Sequence, residues 1–124
     1  MSDFHLEQAR RNHEVFLLVK EHGYEDWAMT CLFYVALHCV TAWLGQRGVV
    51  AGTHQQRQRA LRRLQVPEKV FTAYQALEEN SRITRYEDWR LLFDRDLLEA
   101  SYSTDYALVA TYFGAPAELR PAGE

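Results

Sequence analysis

The sequence predicts an all-α protein, an antiparallel up-down bundle of about five helices. Three observations carry that prediction. The stretch from Trp27 to Leu44, WAMTCLFYVALHCVTAWL, contains no Asp, Glu, Lys, Arg, Gly or Pro. Around it, apolar residues recur at three- and four-residue spacing, the period of a helix with one buried side. The three Pro and six Gly stand mostly near the ends of such stretches, and no turn-flanked alternating run signals a strand.

The first helix is expected over Asp3 to His22, with Leu6, Ala9, His13, Phe16, Leu17 and Lys20 on its inner side. Gly23 supplies a left-handed cap, and the second helix starts at once, from Tyr24 or Asp26 to Gln46, so the two are antiparallel neighbours. After the QRGVVAG loop, Thr53 is an N-cap with Gln56 completing a capping box, and a short helix runs from His54 to Leu64. Its inner side carries His54, Arg57, Leu61 and Leu64; Arg59, Arg62 and Arg63 form a solvated face. Pro67 opens a fourth helix to Tyr86, with Val70, Tyr74, Leu77, Ser81 and Thr84 inward. A fifth, Asp94 to Phe113, carries Leu98, Tyr102, Tyr106, Val109 and Phe113 as a stripe. Residues 1–113 form the single domain, and residues 114–124 are expected to be a flexible tail. The tetrapeptide Tyr-Glu-Asp-Trp occurs at 24–27 and again at 86–89; the flanks do not match, and the repeat reads as coincidence.

A hydrophobic fraction of 48% and a net charge of -3 are ordinary for a globular domain and give no global basic field for polyanions. Cys31 and Cys39 lie eight residues apart on one helix. That is roughly 12 Å of axial rise, beyond the ~7 Å reach of a disulfide, so both read as buried thiols in a reducing compartment. The N-terminus lacks the apolar run of a signal peptide, and the expected location is the cytoplasm. Trp27–Leu44 reaches the lower length for a membrane span. Its polar seam, Thr30, Tyr34, His38 and Thr41, and the lack of a second span argue against a membrane. A central helix covered partly by a second subunit accounts for it instead, with the apolar back of the helix as the dimer surface.

The seam needs hydrogen-bonding partners. Periodicity directs two further polar groups inward: His54 with Arg57, and Glu78 with Ser81 and Arg85, with Arg82 at the edge. We expect these groups to meet in one network. If Arg57, Arg82 and Arg85 outnumber the carboxylates there, the surplus favours a phosphate or another anion. No metal-ligand spacing, Gly-rich phosphate loop or nucleophile elbow is present, so neither a metal nor a cofactor is expected.

The pattern DWAMTCLFYVALHCVTAWL, then THQQR, then YQALEENSRITRY, resembles the small bacterial branch of the HEPN superfamily, over about Tyr24 to Tyr86. Tyr34, His38, His54, Arg57, Ser81, Arg82, Arg85 and Tyr86 carry the resemblance in order and type. It implies a helical bundle that forms a homodimer. It also implies either a metal-independent RNase of toxin–antitoxin or defence systems, or a non-catalytic module associated with RNA, a nucleotide or a cognate partner protein. In the RNase relatives an Arg is followed some four to six residues later by a His, and the pair acts on a phosphodiester. Here no His follows Arg82 or Arg85, and the Arg47 to His54 spacing crosses a Gly-containing loop. The expected function is therefore binding of RNA, a nucleotide or a protein through Tyr34, His38, His54, Arg57, Glu78, Ser81, Arg82, Arg85 and Tyr86. The alternatives are an endoribonuclease, with His54, Arg57, Arg82 and Arg85 as catalytic candidates, and a purely structural dimerisation module.

Overall fold

The uncharged stretch lies inside α2 (Glu25–Gln46), which the other helices surround. The computed structural model describes residues 3–86 and 88–122. Before α2 comes α1 (Asp3–Glu21); after it come α3 (His54–Arg63) and α4 (Glu68–Ile83). A 3-10 turn at Trp89–Leu91 leads to a fifth rod. That rod is α5 (Arg95–Ala100), a π-helical segment (Ser101–Tyr106) and α6 (Ala107–Tyr112) in unbroken succession. No strand occurs among the described residues, and the architecture is an all-α bundle.

Local chemistry sets the reversals. At the end of α1, Gly23 adopts φ +82°. Its N–H donates to Lys20 O at 3.1 Å, and Tyr24 N donates to Val19 O at 2.9 Å. This Schellman closure returns the chain so that α2 packs antiparallel on α1. Gln65 makes the equivalent closure after α3 with φ +58°, donating to Arg62 O while Val66 N donates to Leu61 O. At the start of α3, Thr53 accepts from Gln56 N at 3.1 Å. The Gln56 side chain reaches back one residue further than a capping box requires and accepts from Gly52 N at 2.8 Å.

Eleven apolar residues of α2 are buried within this single chain. The chain's own helices therefore cover the apolar back that we expected a second subunit to cover. At roughly 1.5–3 kcal/mol per large apolar side chain, Leu32, Phe33, Val40 and Leu44 outweigh the cost of a half-buried polar seam. Two members of that seam satisfy themselves: Thr30 Oγ donates to Asp26 O at 3.0 Å and Thr41 Oγ to Leu37 O at 2.8 Å. By length and composition α2 could cross a membrane, and 61% of its apolar window is buried in the bundle.

The inner side predicted for α4 is buried throughout. On α1, Ala9, His13 and Phe16 point inward, whereas Leu17 is 46% exposed because α1 meets the bundle with a narrower face. On α3, Leu61 is buried and Leu64 is exposed. The fifth rod departs from a plain α-helix. Its π segment stacks Tyr102 on Tyr106, with centroids 5.8 Å apart, and buries Ser101, whose Oγ accepts from Asn80 Nδ2 at 3.1 Å.

Residues 114–122, expected as a flexible tail, pack back on the bundle; Gly123 and Glu124 lie outside the described residues. Leu119, on a 3-10 turn (Ala117–Leu119), is 1% exposed. Its carbonyl accepts from Tyr106 Oη, and Glu118 pairs with Arg10 at 3.0 Å. One apolar side chain with a buried donor beneath it anchors a Pro- and Ala-rich segment that composition alone marks as loose.

Candidate functional site

The polar groups form two clusters, not the single network expected from periodicity. They lie at different levels of α2: Thr30 borders one and His38 the other. Eight residues separate them, roughly 12 Å along the helix.

Around His38, α3 lays Arg57 against the bundle. Arg57 is 7% exposed as a residue. Arg57 Nη1 donates to Ala51 O at 3.3 Å, and Nη2 lies 3.2 Å from His54 Nδ1. His54 Nδ1 is also 3.2 Å from Glu78 Oε2, while Glu78 Oε1 accepts from Gln58 Nε2 at 3.1 Å. One ring nitrogen thus faces a donor and an acceptor. With that nitrogen bare it accepts from Arg57; with a hydrogen on it, it donates to Glu78. Among the described residues no carboxylate comes within ion-pair distance of Arg57, and its Nε finds no protein acceptor. Nor does the buried hydroxyl of Tyr74 find a partner. Burial pushes its pKa up, opposed by the nearby Arg57 charge, but the two fall short of hydrogen-bond geometry. Tyr34, half-buried, rests edge-on against Phe33, whose ring also meets those of His54 and Tyr74.

From α1, His5 places Nδ1 3.0 Å from His38 Nδ1, a contact that needs one nitrogen protonated and the other bare. Burial, then His5, then Arg57 hold the His38 imidazole down to a pKa of about 4. Beside this pair lies a cavity of about 370 Å³, bordered by His5, Thr41, Ala51, Gly52 and Arg57. Most of its wall is apolar, with Leu37, Ala42, Val49 and Val50, and its polar side chains are those of His5, Thr41 and Arg57. The Arg57 guanidinium meets a carboxylate, Glu78, only through His54, which leaves room for an anion beside it.

The second cluster gathers where α2 begins and α4 ends. A cleft of about 340 Å³ is bordered by Asp26, Trp27, Thr30, Thr84, Arg85, Tyr86 and Trp89. Arg85, in the turn just past α4, is held by the last turn of that helix: Nε donates to Ser81 O at 3.1 Å and Nη2 to Ser81 Oγ at 3.4 Å. Ser81 Oγ in turn donates to Glu78 O, so Ser81 joins the levels only through the α4 backbone.

Of the predicted residues, His38, His54, Arg57 and Glu78 come together with Tyr34 beside them, Arg85 and Tyr86 share the other cleft, and Ser81 lies between. Arg82 joins neither. It is exposed and paired with Glu79, because it lies one residue, or about 100°, around the helix from Ser81. Sequence reasoning missed His5 as a partner for His38, and it missed Asp26, Trp27 and Trp89 around Arg85. The repeated Tyr-Glu-Asp-Trp holds several of them: Asp26 and Trp27 from one copy and Tyr86 and Trp89 from the other border one cleft. Among the described residues no group of three or more His, Cys, Asp or Glu could hold a metal ion.

No family model, curated protein or solved structure matches the chain.

Proposed function

We propose that this protein is a HEPN-like helical module that binds a phosphate-bearing ligand, RNA or a nucleotide, at the His5/His38/His54/Arg57 cluster. The observation that supports this most is Arg57. A buried arginine, with no carboxylate at ion-pair distance among the described residues, borders a largely apolar cavity it shares with His5 and Thr41. A buried positive charge is tolerated only with compensating partners. Carbonyl and imidazole contacts supply part of that compensation, and a phosphate oxygen would supply the rest. Labelled single-stranded RNA, titrated in low salt with chelator present, tests the reading by anisotropy. Arg57→Gln should weaken binding about tenfold or more, matching the 1.5–3 kcal/mol of a charge-assisted hydrogen bond. Arg57→Lys, which keeps the charge in the bundle, should retain more. Equal affinity in folded wild type and Arg57→Gln would sink the proposal.

A metal-independent endoribonuclease is the second reading, favoured by one observation: Glu78 Oε2 sits 3.2 Å from His54 Nδ1, beside Arg57. Carboxylate, imidazole and guanidinium are the parts needed to move a proton and hold a phosphodiester. In the same chelator-containing samples, RNA cleavage lost in His54→Gln would select this reading. The homodimer implied by the resemblance we assign to α1, where Phe4, Val15 and Leu18 share one exposed side. Sedimentation at rising concentration checks it, and a monomer throughout would remove it.

A further inference from the structure

The cleft at the start of α2 is chemically unlike the Arg57 cavity. Its walls are aromatic: Trp27 is 60% exposed, Tyr86 is 52% exposed, and Trp89 is half-buried. At 60% exposure Trp27 leaves a large apolar face in water next to a cavity of about 340 Å³, within the ~300–1,000 Å³ range of small-ligand sites. Two opposite charges border the same space. Among the described residues the Asp26 carboxylate makes no ion pair or hydrogen bond, and Arg85, which spends Nε and Nη2 on Ser81, makes no ion pair. Asp26 and Arg85 do not pair with each other across the cleft.

This combination discriminates among ligands. A quaternary ammonium would suit the indoles and Asp26 but would meet Arg85, and a free phosphate would suit Arg85 but would meet Asp26. A flat neutral ring with adjacent donors on one edge and adjacent acceptors on another satisfies both charges and the aromatic faces. Guanine is such a ring. Its N1–H and N2–H groups suit a carboxylate, its O6 and N7 suit a guanidinium, and its face stacks on indole. Adenine presents a bare N1 beside its amino group, which would confront the carboxylate lone pairs.

We propose that the Asp26/Trp27/Arg85/Trp89 cleft is a guanine-binding site, with Asp26 reading the N1–H/N2–H edge, Arg85 the O6/N7 edge, and indole rings stacking on the base. The site stands on its own residues and requires no phosphate at Arg57.

The test uses guanosine and adenosine, which carry no phosphate and leave the Arg57 cavity out of the measurement. The full chain is titrated with each while tryptophan fluorescence is followed. Two of the three tryptophans border the cleft, and the third, Trp43, packs on Phe113 elsewhere. Guanosine should quench the emission saturably and bind at least tenfold tighter than adenosine. Asp26→Asn should remove that preference, and Trp27→Leu should weaken both nucleosides. Trp27 is exposed and Asp26 partly so, and circular dichroism checks that each variant folds; Arg85→Gln gives a third variant from the turn after α4. Equal affinity for the two nucleosides, no quenching at millimolar guanosine, or an unchanged preference in folded Asp26→Asn and Arg85→Gln would each overturn the proposal.

Discussion

Acid should weaken this fold through His38, and His38→Gln should blunt the effect. The imidazole is half-buried on α2, with His5 Nδ1 at 3.0 Å and the Arg57 charge nearby, and its pKa falls from 6.5 to about 4. Above pH 6.5 the group is neutral whether folded or unfolded, and it contributes nothing to the pH dependence. Between 6.5 and 4 the unfolded chain takes up a proton that the folded chain refuses, so stability drops as pH falls. Below 4 both states are protonated and the loss levels off. For a fully sequestered group the gap would convert to roughly 3 kcal/mol at ~1.36 kcal/mol per pKa unit. The ring is only partly buried, so we halve the figure for solvent screening to roughly 1.5 kcal/mol, of which about 1 kcal/mol is lost by pH 5. Glutamine keeps a hydrogen-bonding group opposite His5 without titrating. Urea unfolding of both proteins at closely spaced pH values from 7.5 to 4.5 reads the difference directly, because the carboxylates and the buried His13 contribute to both. The stability difference between wild type and variant should shift by about 1 kcal/mol in the variant's favour on going to pH 5. A difference that stays constant with pH would refute the assignment of the acid response to His38.

Two backbone-level predictions follow from the reversals that hold the bundle together. Gln65 pays for a left-handed conformation at φ +58° that glycine adopts freely, so Gln65→Gly should stabilise the protein by about 0.5–1 kcal/mol, visible as a rise of a few degrees in Tm; an unchanged or lower Tm contradicts it. Tyr106→Phe leaves the Leu119 carbonyl without its buried donor and should cost about 1–3 kcal/mol, with faster amide exchange concentrated in residues 115–122. Exchange that rises uniformly along the chain would mean that the hydroxyl does not specifically hold that segment.

How much of this could be read beforehand follows from the range of each signal. Helical period is local. It told Ser81 and Arg85 from Arg82 only by four residues against one, and that difference decides which arginine borders a cleft and which lies in solvent beside Glu79. The inner face of α4 and the Thr53 cap were legible for the same reason. The meeting of His5 with His38, 33 residues apart, depends on how α1 slides along α2, and no spacing within either helix encodes that slide. The same holds for Trp27 and Trp89, whose shared cleft turns an apparently accidental repeat into two walls of one space. The π segment was hidden because an apolar stripe constrains which side is buried, not how many residues fill a turn. These cases explain why the seam on α2 exists. Thr30 and Thr41 close their hydrogen bonds on their own helix, while each also edges a cleft, and His38 is answered by another imidazole. Polar residues persist on this packed helix where the surrounding helices leave space, and both spaces are bordered by charged side chains that make no ion pair among the described residues.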